Sequence, residues 1–241
     1  MDLEIFSKIH YGILARIFSK IHYGILARIF SKIHYGISAG IFSKVHYRFV
    51  KAQRVKKRDH LRRLPAAHYR GNAIVHWSLT MLDRKQGWLT GVFLYRFREL
   101  LTHAAFRYEL ACPIFCLMPD HFHVLWMGLS ERCDQLLAMK HFRKTTNESL
   151  GKLGYQLQDQ AYDHVLRDEE KTEIELREVV EYIARNPERA GLVKPDEYAT
   201  YKFSGCVIPG YPELRLFEQG FWEKFDRIIP FLRKEGLTRH P

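Results

Sequence analysis

The sequence predicts an α+β fold: a split βαβ arrangement, ferredoxin-like, with an antiparallel sheet and helices packed on it. Three observations carry this. From about residue 67 the chain alternates short apolar runs with longer segments of helical periodicity, in the order strand, helix, strand, strand, helix, strand, helix. The second and third strands are separated only by Pro119-Asp120, which leaves room for a tight antiparallel connection. Hydrophobic residues make up 46% and aromatic residues 14% of the 241 residues, enough for a folded core and too much for a disordered chain.

The elements follow in chain order. "NAIVHWSLTML" (72–82) reads as a strand closed by the turn-like "DRKQG". "TGVFLYRFRELLTHAAFRYE" (90–109) places Val92, Phe93, Phe97, Leu100, Leu101 and Ala104 at helical spacing, with Thr90 as N-cap. "LACPIFCLM" (110–118) and "HFHVLWMG" (121–128) read as neighbouring antiparallel strands, and "DQLLAMKHFRKTTNESLG" (134–151) as a helix ending at Gly151. "AYDHVLR" (161–167) is a short extended segment. In "TEIELREVVEYIARNP" (172–187), Thr172 and Glu175 form a capping box and Pro187 marks the helix end. "FWEKFDRIIPFL" (221–232) supplies a last helix over the core.

The N-terminal quarter is of another kind. "IFSKIHYGILAR" at 5–16 recurs unchanged at 17–28, then as "IFSKIHYGISAG" and "IFSKVHYRFVKA" up to residue 52. This 12-residue period is shorter than that of the familiar solenoids, and its glycines weaken the amphipathic helix its apolar positions suit. We read 1–52 as a repeat extension, 53–66 as a basic linker, 67–210 as the functional domain and 211–241 as a helical tail. The net charge of +11 points to a polyanionic partner, yet residues 1–64 hold 14 Lys/Arg against 3 Asp/Glu. The remainder is balanced, so nucleic-acid binding by the domain must rest on local clusters. Lys140, Arg143, Lys144 and Lys152 gather around the second helix; Arg167, Arg185 and Arg189 lie in or near the "EYIARNP" segment. Phe142, Tyr155 and Tyr162 are candidate stacking platforms for bases. No run of about 18 apolar residues, no signal-peptide h-region and only four cysteines predict a cytoplasmic chain that neither crosses a membrane nor relies on disulfides.

"LMPDHFHVLWMG" (117–128) is the segment that speaks of chemistry. On a strand, residues i and i+2 point to one face about 6.6 Å apart, so His121 and His123 can reach one ion while Phe122 and Val124 face the core. Cys112 and Cys116 precede them in a zinc-like C-x3-C-x4-H-x-H pattern. On a strand the two thiols stand about 13 Å apart and cannot share an ion, unless Pro113 forces a turn. On the 172–187 helix, Tyr182 and Asn186 are i, i+4 and share a face, about 5–6 Å between Cβ atoms. Laid over the histidines, that face would complete a His-His-Asn site with a phenol beside it. A phenol can attack phosphorus where a metal polarises the phosphate oxygens. The bland alternative for this segment is an amphipathic helix with Asn-Pro as its stop.

"MPDHFHVLW", followed about 60 residues later by "YIARNPERAGLV", resembles the HUH single-strand DNA endonucleases. Within them it is similar to the single-tyrosine transposases of insertion sequences, above all their REP-associated relatives. The likeness spans roughly 67–210 and includes "YDHVLRDEE" at 162–170. It implies Tyr182 as nucleophile, His121, His123 and Asn186 as metal ligands, and Mg2+ or Mn2+ as the cofactor. It further implies single-stranded or hairpin DNA as partner, cut and rejoined through a 5′-phosphotyrosine by a monomer or homodimer. Imidazole alone would favour softer ions, which leaves zinc open at this point. The sequence departs from the family where Leu157-Gln158 replaces a common Trp-Gln, and in the repeat, which has no counterpart there. Two other readings stand beside this one: an inactive, domesticated descendant that only binds DNA, and a zinc-stabilised binding module.

Overall fold

A computed structural model describes residues 63–166 and 172–237. The repeat extension, nearly all of the basic linker and the predicted DNA contact Arg167 lie outside the described residues.

The chain forms β1 (Ile74–Thr80), α1 (Gly91–Arg107), β2 (Leu110–Met118), β3 (His121–Gly128), α2 (Gln135–Gly151) and β4 (Tyr162–Val165), in the predicted order. There follow α3 (Glu173–Ala184), a short α4 (Asn186–Arg189), β5 (Ser204–Val207) and α5 (Phe221–Glu235). The sheet runs β4-β1-β3-β2-β5, every pair antiparallel. In the first four strands β3 separates β1 from β2 and β1 separates β3 from β4. That interleaving is the split βαβ arrangement expected from the sequence.

The helix starts behave as their residues dictate. Thr90 Oγ1 accepts from the Phe93 N–H, and Asp134 Oδ1 from the N–H groups of Leu136 and Leu137. Thr172 accepts from the Glu175 N–H while its hydroxyl donates to the Glu175 carboxylate.

Pleating sorts the side chains. Val75, Trp77, Leu79, Phe122, Val124 and Trp126 face one layer, where α1 and α2 bring Phe93, Phe97, Leu101, Ala138 and Phe142. Phe142 is therefore core, with Trp126 5.6 Å from its ring centroid, and is no stacking platform; Tyr155 packs partly buried against the same cluster. Buried Gln135 keeps both ends satisfied, accepting from Trp77 Nε1 and donating to the Ala73 carbonyl. Ile74, Leu125 and Met127 face the other layer, against Leu176, Val180 and Ile183 of α3 and Phe225, Ile229 and Leu232 of α5. Each buried large apolar side chain contributes about 1.5–3 kcal/mol, so helices on both faces fix the sheet's register firmly.

Two points differ from the sequence expectation. The helix begun at Thr172 ends at Ala184, and Pro187 sits in the first turn of α4, where its missing N–H costs nothing. The strand β5 was not predicted at all. In addition, β2 shifts register between Ala111 and Ile114, a bulge that houses Pro113 within an interior strand.

Candidate functional site

β3 is an inner strand, and His121 and His123 project from it on the face that also carries α3. The turn before them is clamped: Trp88 Nε1 donates to the Pro119 carbonyl at 2.7 Å, and the Met81 N–H to that of Asp120 at 2.9 Å. The two outer ring nitrogens converge, His121 Nε2 lying 3.1 Å from His123 Nε2. His121 Nδ1 is 2.6 Å from Asp120 Oδ1, and Arg84 donates to the other carboxylate oxygen at 2.8 Å. Burial pushes the Asp120 carboxyl up, but the bonds from His121 and Arg84 outweigh it and hold it below the usual range. His123 Nδ1 lies 3.0 Å from Nε2 of His76 on β1. Burial first, then the charges of His76, His121 and Arg189, depress the His123 imidazolium far below its ordinary range. Burial and then His164 bring His76 down to about 4. His76 and His123 are thus neutral at pH 7, as metal-binding imidazoles must be.

Two nitrogens 3.1 Å apart fit a single ion. Bonds of about 2.1 Å at about 90–109° place neighbouring ligands about 3.0–3.4 Å apart. The Asp120 carboxylate fixes the His121 tautomer with Nε2 free of a proton, the usual outer partner of a metal-bound imidazole. Among the described residues no three His, Cys, Asp or Glu side chains are grouped to hold one ion. The two thiols cannot share an ion: Cys112 faces the α1/α2 layer and Cys116 the other, because the bulge at Pro113 inverts the alternation between them. All four cysteines are free and buried.

Asn186 opens α4 beside Tyr182 and Arg189. Pro187 has no N–H for the Ile183 carbonyl, and Asn186 Nδ2 donates to it instead at 3.0 Å. That bond orients the amide, whose Oδ1 accepts from Arg189 Nη2 at 2.9 Å. The Tyr182 ring is 59% exposed, open to a large partner. Arg189 lies over it, its guanidinium carbon 4.2 Å from the ring centroid. Tyr162 of β4 pairs in register with Ser78, which pairs with His123, so it stands two strands away on the same face, about 9.6 Å between Cα atoms. It is 54% exposed.

The predicted DNA contacts fall into two groups. Lys140, Arg143 and Lys144 belong to α2, on the sheet face away from the histidines; with Arg63 and Asn147 they line a groove free of acidic side chains. Arg143 is half-buried and donates to the Gln158 carbonyl. Arg185 and Arg189 lie on the tyrosine's side. Three carboxylates hold Arg185, namely Glu181, Glu188 and Asp196. The hydrogen bonds of Glu181 and Asp196 push its guanidinium pKa up.

Sequence reasoning missed Asp120 and His76. Both left a trace: an acid abutting the first histidine, and a lone histidine inside "IVHWSLT".

No protein-family model and no curated protein matches this chain. Among solved structures it is similar to a REP-associated tyrosine transposase bound to a REP hairpin, at 20% identity and a TM-score of 0.49. The match covers 59% of this chain and 79% of that one. No helix among the described residues is long and apolar enough to cross a membrane.

Proposed function

We propose that this protein is a metal-dependent strand transferase acting on single-stranded or hairpin DNA, with Tyr182 as nucleophile. The observation that carries the reading is the convergence of His121 Nε2 and His123 Nε2 on the face that bears α3, with its exposed tyrosine. His121, His123 and the Asn186 oxygen would hold Mg2+ or Mn2+, a mixed imidazole and oxygen set that such ions accept. When bound, the cation supplies charge neutralisation at the phosphate oxygens.

The chain's own residues do the rest. Tyr182 Oη bonds to phosphorus as the bond to O3′ breaks; the phenolic proton is lost and the departing 3′ oxygen gains one. The 5′-phosphate is left esterified to the tyrosine, and a 3′-hydroxyl can reverse the step without an energy source. Asp120 keeps His121 in its productive tautomer, and His76 fixes the ring plane of His123.

The test is adduct formation. With Mn2+ and a single-stranded hairpin, the protein should form a covalent DNA complex through a 5′-phosphate. Tyr182→Phe should bind DNA and form none, because it removes only the hydroxyl; His121→Ala should lose adduct and bound Mn2+ together. An adduct that persists in Tyr182→Phe and vanishes in Tyr162→Phe would transfer the role to Tyr162. No adduct under any condition, with DNA binding intact, would leave a DNA-binding protein without the chemistry.

A further inference from the structure

Arg189 holds the two residues on which this reading depends. Its Nη2 donates to the Tyr182 carbonyl at 2.6 Å and to Asn186 Oδ1 at 2.9 Å, and its guanidinium covers the Tyr182 ring. The Asn186 amide cannot turn over to escape, since its nitrogen is spent on the Ile183 carbonyl. The oxygen assigned to the cation is therefore already bonded to another cation.

The contrast with Arg185 shows how loosely Arg189 is held. Arg185 has three carboxylates, whereas among the described residues Arg189 has no acidic partner and bonds only to neutral oxygens. Guanidinium bonds to a phosphate are roughly twice as strong as those to neutral acceptors and form as a two-pronged pair. A DNA phosphate arriving beside exposed Tyr182 is thus a better partner than either oxygen Arg189 now has.

We propose that Arg189 is a latch coupling DNA to metal: without DNA it occupies Asn186 Oδ1, and a DNA phosphate draws it off and frees that oxygen for the cation. This rests on the assignment of His121, His123 and Asn186 as the cation site. Linkage then requires the two ligands to bind cooperatively, each strengthening the other by the same factor. A cation would then occupy the site more fully when a strand is in place, which limits arming of the tyrosine without substrate.

Mn2+ affinity, read by electron paramagnetic resonance in the Tyr182→Phe background, separates the possibilities because no covalent step intervenes. A single-stranded oligonucleotide should tighten Mn2+ binding at least about fivefold, the lower end of typical coupling. An oligonucleotide with an uncharged methylphosphonate backbone should not. Adding Arg189→Ala should tighten Mn2+ binding without DNA and abolish the effect of DNA. A merely structural arginine would give the opposite sign, weaker binding on removal. The exposed position of Arg189 makes this truncation compatible with folding. Mn2+ binding that survives His121→Ala would overturn the site assignment itself. Binding lost in His121→Ala but indifferent to DNA, or weakened by Arg189→Ala, would leave the site standing and overturn the latch.

Discussion

A chain of imidazoles runs from Asp120 through His121 and His123 to His76, and the positions of its protons decide what it can hold. With the Asp120 carboxylate accepting from His121 Nδ1, a neutral His121 ring carries a lone pair at Nε2. In the absence of a cation His123 satisfies it by donating from Nε2, and His76 donates in turn to His123 Nδ1. On the proposed site a cation would need both Nε2 lone pairs, so the His123 proton would have to move to Nδ1 and be accepted by His76. Nitrogen-15 spectra should therefore show His123 protonated at Nε2 before Mg2+ is added and at Nδ1 afterwards. Asp120→Ala removes the acceptor that sets this order, and loss of such an outer partner weakens metal affinity by about 10–100-fold. A Mn2+ titration with His121 and His123 intact checks this; unchanged affinity would mean that Asp120 serves only the turn. That the two candidate ligands share a face was legible from i, i+2 spacing, because strand pleating alone puts both rings on one side. His76 was not, because its contact to His123 crosses strands on a diagonal that only the β1–β3 register fixes.

At the level of elements, the sequence was clear where periodicity ran long and silent where one residue decided the matter. The 17 residues of α1 and of α2 show their buried stripes openly. β5 has four residues with Gly205 among them, a composition that reads as loop. Its reason lies in another strand: a Cβ at Gly205 would stand 2.9 Å from Cζ of Phe115, whose ring occupies that space. Gly205→Val should cost about 1–3 kcal/mol, the usual toll of overpacking, and urea unfolding would measure it. Full stability in that variant would show that β5 can leave the sheet freely. Pro113 worked the same way in reverse. In the sequence it was the residue that could turn the chain and bring the two thiols together; its bulge instead sends Cys112 and Cys116 to opposite faces and removes a zinc site shared by both. At Asn186-Pro187 the amide nitrogen mends the helix end while the oxygen accepts from Arg189.

Across the described residues, the basic groove along α2 and the candidate site lie on opposite sides of one sheet. Lys140, Arg143 and Lys144 stand with Arg63 along α2, and the histidines with Tyr182 on the far face. Arg63 bonds to Asp163 and to the Ala161 carbonyl, which sets the basic groove at the β4 side of the sheet. A strand or hairpin stem bound there would reach Tyr182 by passing the β4 edge, over exposed Tyr162. Neutralising the groove should then change affinity and leave chemistry alone. Each phosphate contact on a single strand contributes about 0.7 to the slope of log affinity against log salt. Lys140→Gln with Lys144→Gln should lower that slope by about 1.4, if both lysines meet phosphates. The rate of adduct formation at saturating DNA should stay at the parent value, since neither side chain is on the tyrosine's face. Fluorescence anisotropy across a salt series, paired with single-turnover adduct assays, reads the two quantities separately. An unchanged slope would remove α2 from the DNA path, and a fallen rate at saturation would mean that the strand bound at α2 also sets the position of the scissile phosphate.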